Sequence, residues 1–423
     1  MSSEWKKTYW GDISTLHYGK RLSNYKNRNG QFHVYASGGI VGTCDKFLCP
    51  KNGVIVGRKG NLGFHYSEKP FFVIDTAFWL ETSEIVDEKW SYYKLISEDI
   101  SYLDSGSAIP SMSRESFYSI PVLLPSLIEQ KRIAEILTNL ENKIELNKKI
   151  NSTLEEIAKA LFKSWFIDFD PVKAKSEGRP TGLPDEISNL FPSSFEDSEL
   201  GEIPRGWNLA KISDICDSTD YVANGSFATL KKNVQKVDFY TGNEAILLRF
   251  ADFNKNWEDQ FSYITQDSYN FLDKSKVFPG DLVVCNVGDV GNYFRAPDLG
   301  LPMSLGPNGV LLKNFSKNRN LSNPYFYFLL STNNFQNQLR AISSGSVQTK
   351  FNKTELRGLL TVVPPNNLVD YSTNLFCNIL RKEDQLCKQN RILKDIKDAV
   401  LPKLISGELR IPDTKKLVEG TDK

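Results

Sequence analysis

Apolar side chains recur along the middle of the chain at intervals that alternate four and three: Ile133, Leu137, Leu140 and Ile144, then Leu154, Ala158 and Leu161. That rhythm is a heptad seam on one face of an α-helix. Asn147 and Asn151 take two of the seam's slots, where a polar residue specifies register at some cost in stability. Pro125-Ser126 stops the strand before it, and Ser126 followed by Glu129 matches a capping box. The pattern predicts a helix over 126–166, on the order of 60 Å long at ~1.5 Å per residue. A second pattern begins after Pro364-Pro365, in a helix placed at 366–409. Its slots are Ser372, Phe376, Ile379, Glu383, Leu386, Asn390, Leu393, Lys397 and Val400, so Glu383 and Lys397 interrupt the apolar stripe. Neither helix is apolar all round, and each needs a partner. The natural partner within the chain is the other helix.

Ahead of each helix the rhythm changes to short β-rich runs broken by Gly, Asn and Ser turns, over 1–125 and again over 206–365. Gly53–Gly57 and Phe71–Ile74 read as strands in the first module, Ala245–Phe250 and Asp281–Cys285 in the second. Residues 167–205 carry Pro171, Pro180, Pro184, Pro192 and Pro204; this connector is expected to be extended and too rich in Pro for a helix. The tail, 410–423, is short, charged and expected to fray.

The two modules and their helices are copies. Trp5, Asp12 and Ile13 match Trp207, Asp214 and Ile215 at an offset of 202. Ser105-Gly106-Ser107, Pro125, Asn139, Asn151 and Leu154 match Ser344-Gly345-Ser346, Pro364, Asn378, Asn390 and Leu393 at an offset of 239. The block between these anchors is therefore about 37 residues longer in the second copy. A repeated framework with unequal inserts means two related modules on one duplicated scaffold, and suggests two separate readings of one extended partner.

Bulk composition narrows the class only a little. At 423 residues, with 40% hydrophobic and 24% charged residues, the chain is an ordinary globular protein of two or three domains. No run of about 20 apolar residues offers a transmembrane helix, and the N-terminus lacks the apolar core of a signal peptide. The six cysteines, Cys44, Cys49, Cys216, Cys285, Cys377 and Cys387, form no dense framework, which fits a reduced cytoplasm. Cys44 and Cys49 are the closest pair, and no Cys or His pair at metal-ligand spacing completes a site with them.

Candidate chemistry is scarce. Gly57-Arg-Lys-Gly-Asn-Leu-Gly63 has the wrong order for a phosphate-cradling loop and no following Lys-Ser/Thr. No Asp/Asn-Pro-Pro-aromatic motif exists to hold a flipped base for amino methylation. Asp168 and Asp170 could pair around a metal, but they sit at a helix end, where a structural role is expected. His17, His33 and His65 all lie in the first module and have no counterparts in the second. The expectation is a chain with no catalytic residue and no metal site of its own. A nuclease built on Asp168 and Asp170, or a scaffold whose modules bind protein, are the competing readings.

Binding residues are easier to find. The net charge is only +1, yet residues 20–69 alone carry +7, from Lys20, Arg21, Lys26, Arg28, Lys46, Lys51, Arg58, Lys59 and Lys69 against Asp45 and Glu68. Residues 75–104 carry −6. Lys and Arg neutralise phosphates, while Arg, Asn and Gln also read base edges, and Asn24, Tyr25, Asn27, Asn29, Gln31 and Tyr35 are interleaved here. Gly57–Gly63 ends a strand with a tight turn presenting Arg58 and Lys59; Asn286–Gly291 is its counterpart, with Gly288 and Gly291 matching Gly60 and Gly63 at an offset of 228. Shared glycines argue for a structural turn, and unshared cations for contacts specific to one module. In the second module Lys231, Lys232, Lys236, Arg249, Arg295 and Arg340 are available.

Five stretches then resemble a known family. Gly106-Ser-Ala-Ile-Pro-Ser-Met-Ser113, Ile120-Pro-Val-Leu-Leu-Pro125 and Glu129-Gln-Lys-Arg-Ile-Ala-Glu-Ile-Leu137 are similar to the specificity subunit of type I restriction–modification enzymes. Leu161-Phe-Lys-Ser-Trp-Phe-Ile-Asp-Phe-Asp-Pro-Val172 and Ser198-Glu-Leu-Gly-Glu-Ile-Pro-Arg-Gly-Trp207 resemble its central region. The second copy departs from the pattern where Asn367-Leu-Val-Asp370 replaces an acidic-Gln pair. The resemblance implies an α+β fold: two mixed α/β target recognition domains, two long antiparallel helices between them, and a pseudo-twofold internal repeat. It implies that each domain reads half of a split, asymmetric site in double-stranded DNA, while the helices set the spacing. Two methyltransferase subunits and motor-nuclease subunits would join, bringing S-adenosylmethionine, ATP and Mg2+ on those partners and none on this chain.

Overall fold

The computed structural model describes residues 5–25, 29–60, 62–100, 110–238, 242–258, 260–313, 322–344 and 349–411. The chain divides into two compact units, Met1–Asn147 with Lys388–Lys423, and Lys148–Cys387. Each unit combines one β-rich head, the first part of the long helix that follows it, and the last part of the other long helix. The helices run Leu127–Phe166 and Asn366–Ser406.

In the first unit, Lys6–Tyr9 pairs antiparallel with Pro121–Leu124 and closes the head where the helix begins. The main sheet then runs Ser14–Tyr18, Ala77–Thr82, Gly53–Gly57, Phe64–Ser67 in spatial order. Gly53–Gly57 is buried at every residue. Alternation explains why: Val54 and Val56 face a core with Trp10, Phe78, Leu80 and Trp90, while Ile55 faces Tyr35, Phe71 and Val73. The second sheet has three strands, Gly39–Cys44, Phe32–Ala36 and Phe71–Val73, the last two parallel.

The second unit repeats this plan at the offsets read from the sequence. The pairs Lys6↔Leu124 and Tyr9↔Pro121 recur as Asn208↔Val363 and Lys211↔Leu360. The turn of helix Trp10–Ile13 recurs as Ile212–Ile215. The main sheet recurs as Asp217–Asp220, Gly309–Lys313, Leu282–Cys285, Tyr293–Arg295. Much of the longer insert builds a larger second sheet, five strands in place of three, whose parallel pair is Glu244–Leu248 with Met303–Leu305. The expected strands are present, with ends displaced by a residue or two.

The long helices pair within each unit. In the first, Ile133 and Leu137 are buried with Leu404 and Ile405, Lys397 reaches Glu141 at 3.3 Å, and Asn147 donates to Gln389 and Asn390, both at 2.8 Å. In the second, Asn151 donates to the Glu383 carbonyl and to Cys387 Sγ, both at 3.3 Å, and Phe162 packs on Phe376. In both units partner numbers fall on one helix as they rise on the other, so the pairing is antiparallel. The contact follows the expected seam only in part: Leu140, Ile144, Leu154, Leu161, Ile379, Leu393 and Val400 are only partly covered, and Phe162 and Leu380, one residue beyond Leu161 and Ile379, take the buried positions. Lys397 does not break the stripe, because Glu141 answers its charge across the seam.

Three expectations need correction. The connector is not simply extended: Asp170–Ser176 and Asp185–Ser188 are helices. Pro171 stands in the first turn of one and Pro184 caps the other, positions where a missing N–H costs nothing. The capping box at Ser126 is half formed. Ser126 Oγ accepts from Glu129 N at 3.3 Å, but the Glu129 carboxylate instead takes Trp5 Nε1 and Arg410 Nη1, each at 2.9 Å. The helix also ends at Ser406, short of 409. Residues 412–423, where the tail was expected to fray, lie outside the described residues.

Candidate nucleic-acid interface

One corner of the first head gathers side chains from three separate segments. Tyr18 ends the strand Ser14–Tyr18, Arg58 and Lys59 follow Gly53–Gly57, and Arg114 opens the helix Arg114–Tyr118. Backbone bonds build the corner. Arg58 N–H and Lys59 N–H both donate to the Thr76 carbonyl, at 3.0 and 3.1 Å, Gly60 N–H donates to the Pro110 carbonyl at 2.8 Å, and Met112 N–H to the Arg58 carbonyl at 3.0 Å. Gly60 turns the chain at φ +80°, a conformation that costs glycine little. Ser113 Oγ accepts from Ser116 N at 3.0 Å and caps the short helix.

The second head makes the same corner. Gly288 turns at φ +87°. Its N–H donates to the Thr349 carbonyl at 2.9 Å, and Phe351 N–H donates to the Asn286 carbonyl at 3.1 Å. Lys59↔Ser111 and Val287↔Lys350 are matching isolated bridges. Gly60 and Gly288 are thus the same turn, as the sequence argued.

Side chains on this common backbone differ. In the first head, the Arg114 guanidinium lies 4.0 Å from the Tyr18 ring centroid and the Arg58 guanidinium 4.9 Å from it. Arg58 Nη1 also donates to the Asp75 carbonyl at 3.1 Å. In the second head the equivalents of Tyr18 and Arg114 are Asp220 and Lys353, an ion pair at 2.8 Å. Asn286 replaces Arg58, and its Nδ2 donates to the Phe351 carbonyl at 3.4 Å. Tyr18, Arg114, Asn286 and Lys353 are absent from the sequence-derived set. Laying the copies over each other at offsets 202 and 239 would have singled out Tyr18/Asp220 and Arg114/Lys353 as unlike residues at like positions.

The remaining expected residues are placed as follows. Lys20 and Arg21 are exposed just past Tyr18, beyond Gly19, which passes so close to the Ile74 carbonyl that a Cβ would lie 2.0 Å from its oxygen. Lys59 is exposed. Lys26 and Arg28 lie outside the described residues. Lys51 is paired with Glu88 at 2.6 Å. In the second head, Lys231 and Lys232 are exposed in the last turn of the helix Phe227–Asn233, where positive charge suits the helix dipole. Arg249 and Arg295 have structural partners. Arg249 grips the buried Asp252 with Nε and Nη2 at 3.2 and 2.6 Å, and Arg295 grips Asp384 on the second long helix at 2.8 and 2.5 Å.

The carboxylates considered for metal chemistry are also engaged. Asp168 pairs with Lys163, and Asp170 accepts from Ser164 Oγ at 2.7 Å, so both secure the end of the first long helix. Among the described residues no group of three or more His, Cys, Asp or Glu side chains is arranged to hold a metal ion. No helix among them is long and apolar enough to cross a membrane.

Residues 2–156 match the type I restriction modification DNA specificity domain. The chain is 24% identical over 447 positions to the HindI specificity subunit of Haemophilus influenzae, covering 92% of this chain and 90% of that protein. It is also 24% identical over 431 positions to the MjaIX specificity subunit of Methanocaldococcus jannaschii, covering 96% and 89%. Among solved structures, the S subunit of a type I restriction–modification system from M. genitalium shares the fold, with a TM-score of 0.62 at 17% identity over 97% of this chain and 96% of that one. The resemblance carried by the sequence motifs therefore holds along nearly the whole chain.

Proposed function

We propose that this chain is the DNA specificity subunit of a type I restriction–modification enzyme, and that it reads DNA for chemistry performed by other subunits. The observation that carries the reading is the match of residues 2–156 to a DNA specificity domain, on a frame that the chain builds twice. Two heads with one backbone plan and unlike surfaces suit a split, asymmetric site in double-stranded DNA, one half for each head. The long helices set the spacing between the halves. Their outward apolar residues, Leu146 and Ile157 on the first and Ile392 and Ile396 on the second, dock two methyltransferase subunits, which motor-nuclease subunits then join. The chain itself is non-catalytic and works in the cytoplasm. S-adenosylmethionine, ATP and Mg2+ belong to the partner subunits. The engagement of Asp168 and Asp170 in helix-end contacts supports this reading over a nuclease.

The test is reconstitution. The purified chain alone is expected to transfer no methyl group. With its methyltransferase partner and S-adenosylmethionine it is expected to direct methylation to one bipartite motif, read by mapping modified bases across a genome. A partner that methylates no defined motif in its presence sinks the proposal.

A further inference from the structure

We propose that Tyr18, Arg58 and Arg114 form the specificity-determining set of the first head, and that the set takes the acceptor-rich major-groove edge of guanine. This rests on the DNA-reading function proposed above and assigns the residues and the base.

Three observations carry it. First, the fold does not need these side chains. The corner is held by backbone bonds that recur in the second head at 2.9 and 3.1 Å, where Asp220, Asn286 and Lys353 stand at the same positions. Second, the charges are left open only in the first head. Lys353 is neutralised by Asp220 at 2.8 Å, whereas among the described residues no ion pair within 4.0 Å is formed by Arg58 or Arg114, the exposed Glu115 carboxylate acting on Arg114 only through its field. Arg114 Nε is buried without a hydrogen-bond partner. Two cations share one ring that remains 48% exposed, an arrangement that awaits an acceptor. Third, the placement of the two guanidinium groups suits a base edge. A guanidinium is a planar fork whose two N–H groups match guanine O6 and N7, as they also match a phosphate; what sets the two apart here is that both cations are gathered on the Tyr18 ring, 4.0 and 4.9 Å from its centroid, in a corner whose side chains differ between the heads, as a sequence-reading contact requires and a backbone contact does not. The second head, with an amide and a closed ion pair at these positions, reads its half-site by other contacts.

The full chain, in complex with its methyltransferase partner, tests this with Arg114→Gln, Arg58→Gln and Arg114→Lys. Discrimination at one G·C position in one half-site is expected to fall roughly ten- to a hundredfold in each, with the other half-site intact. Arg114→Lys keeps the charge and loses the fork, so it is expected to relax the motif without changing the salt dependence of binding; it also serves if the Gln variants do not fold. Three results overturn the inference alone: an unaltered motif in the variants, full specificity restored by Lys, or a uniform loss of binding across all sequences with a smaller salt slope, the mark of a phosphate contact. A wild-type complex that methylates no defined motif overturns the underlying reading, and this inference with it.

Discussion

At position 130 a buried amide makes contacts that no hydrocarbon could make. Gln130 Oε1 accepts from Asp87 N at 2.8 Å, and Nε2 donates to the carbonyls of Ile85 and Pro125, each at 3.0 Å. It ties the start of the first long helix to the loop before the helix Glu88–Ile96. In the second copy the residues matching Glu129 and Gln130 are Leu368 and Val369, both buried in the second unit's core. The departure seen in the sequence is therefore an exchange of polar anchors for apolar ones. Gln130→Leu is expected to orphan the Asp87 N–H and two carbonyls and to cost about 1–3 kcal/mol, read as a lower midpoint in urea. Glu383 offers a different test. Burial pushes its carboxyl up from 4.5 to about 7; Glu155 and Asp384 add to this, while Arg295 and Lys159 oppose it. The folded state then holds the proton more tightly than the unfolded one. Stability is greatest below the ordinary carboxylate value and falls as pH rises from about 4.5 to about 7. Glu383→Gln is expected to melt roughly 2–4 °C above wild type at pH 8 and to lose that advantage toward pH 5. An equal gap at both values would mean that the carboxyl does not titrate in this way.

Each long helix has an inner face that stabilises the chain and an outer face available for partners. Phe162 is fully buried against Phe166, Tyr325, Phe328 and Phe376, whereas Ile157, five residues earlier, is 48% exposed. Phe162→Ala is expected to cost about 3–5 kcal/mol in unfolding measurements. Ile157→Ser is expected to change stability by less than about 0.5 kcal/mol, while weakening retention of the methyltransferase subunit on a sizing column. Full retention by that variant would move the docking surface elsewhere. The helices were legible in the sequence because their period is local: each slot lies three or four residues from the next. The connector's helices are hidden from its composition because Pro is excluded from a helix interior but fits the first turn, where Pro171 stands. The second sheets were not legible, because Phe32–Ala36 pairs with Phe71–Val73 across an intervening hairpin and strand, and periodicity carries no information about that pairing. The Tyr18 stack escaped for the same reason, its members lying at 18, 58 and 114. Arg58 and Lys59 were found because they are adjacent and follow a strand. The charge of Arg295 is visible locally, but its partner Asp384 lies far along the chain, where no local pattern points to it.

For the whole chain, the duplication separates what is fixed from what varies. Clasp strands, corner bridges and helix starts recur at their offsets, while side chains at the corner and the inserts of the second sheet do not. Under the proposed function, such a frame lets the surfaces that read DNA change without disturbing the helices that set the spacing, and the helices change without disturbing those surfaces. A deletion can exploit that separation. Removing 144–150 from the first long helix and 388–394 from the second takes out the Asn147 layer. It keeps the Glu141–Lys397 pair and the Asn151–Cys387 contact. Seven residues amount to about 10 Å of helix at ~1.5 Å per residue, or roughly 3 base pairs at ~3.4 Å each. A complex carrying this chain is expected to methylate the same two half-sites with a gap about 3 base pairs shorter, as mapped by modified-base sequencing. If the half-sites persist at their original gap, the helices do not set the spacing. If the bases within the half-sites change, reading and spacing are not separable, and the duplicated frame has a purpose other than the one assigned to it.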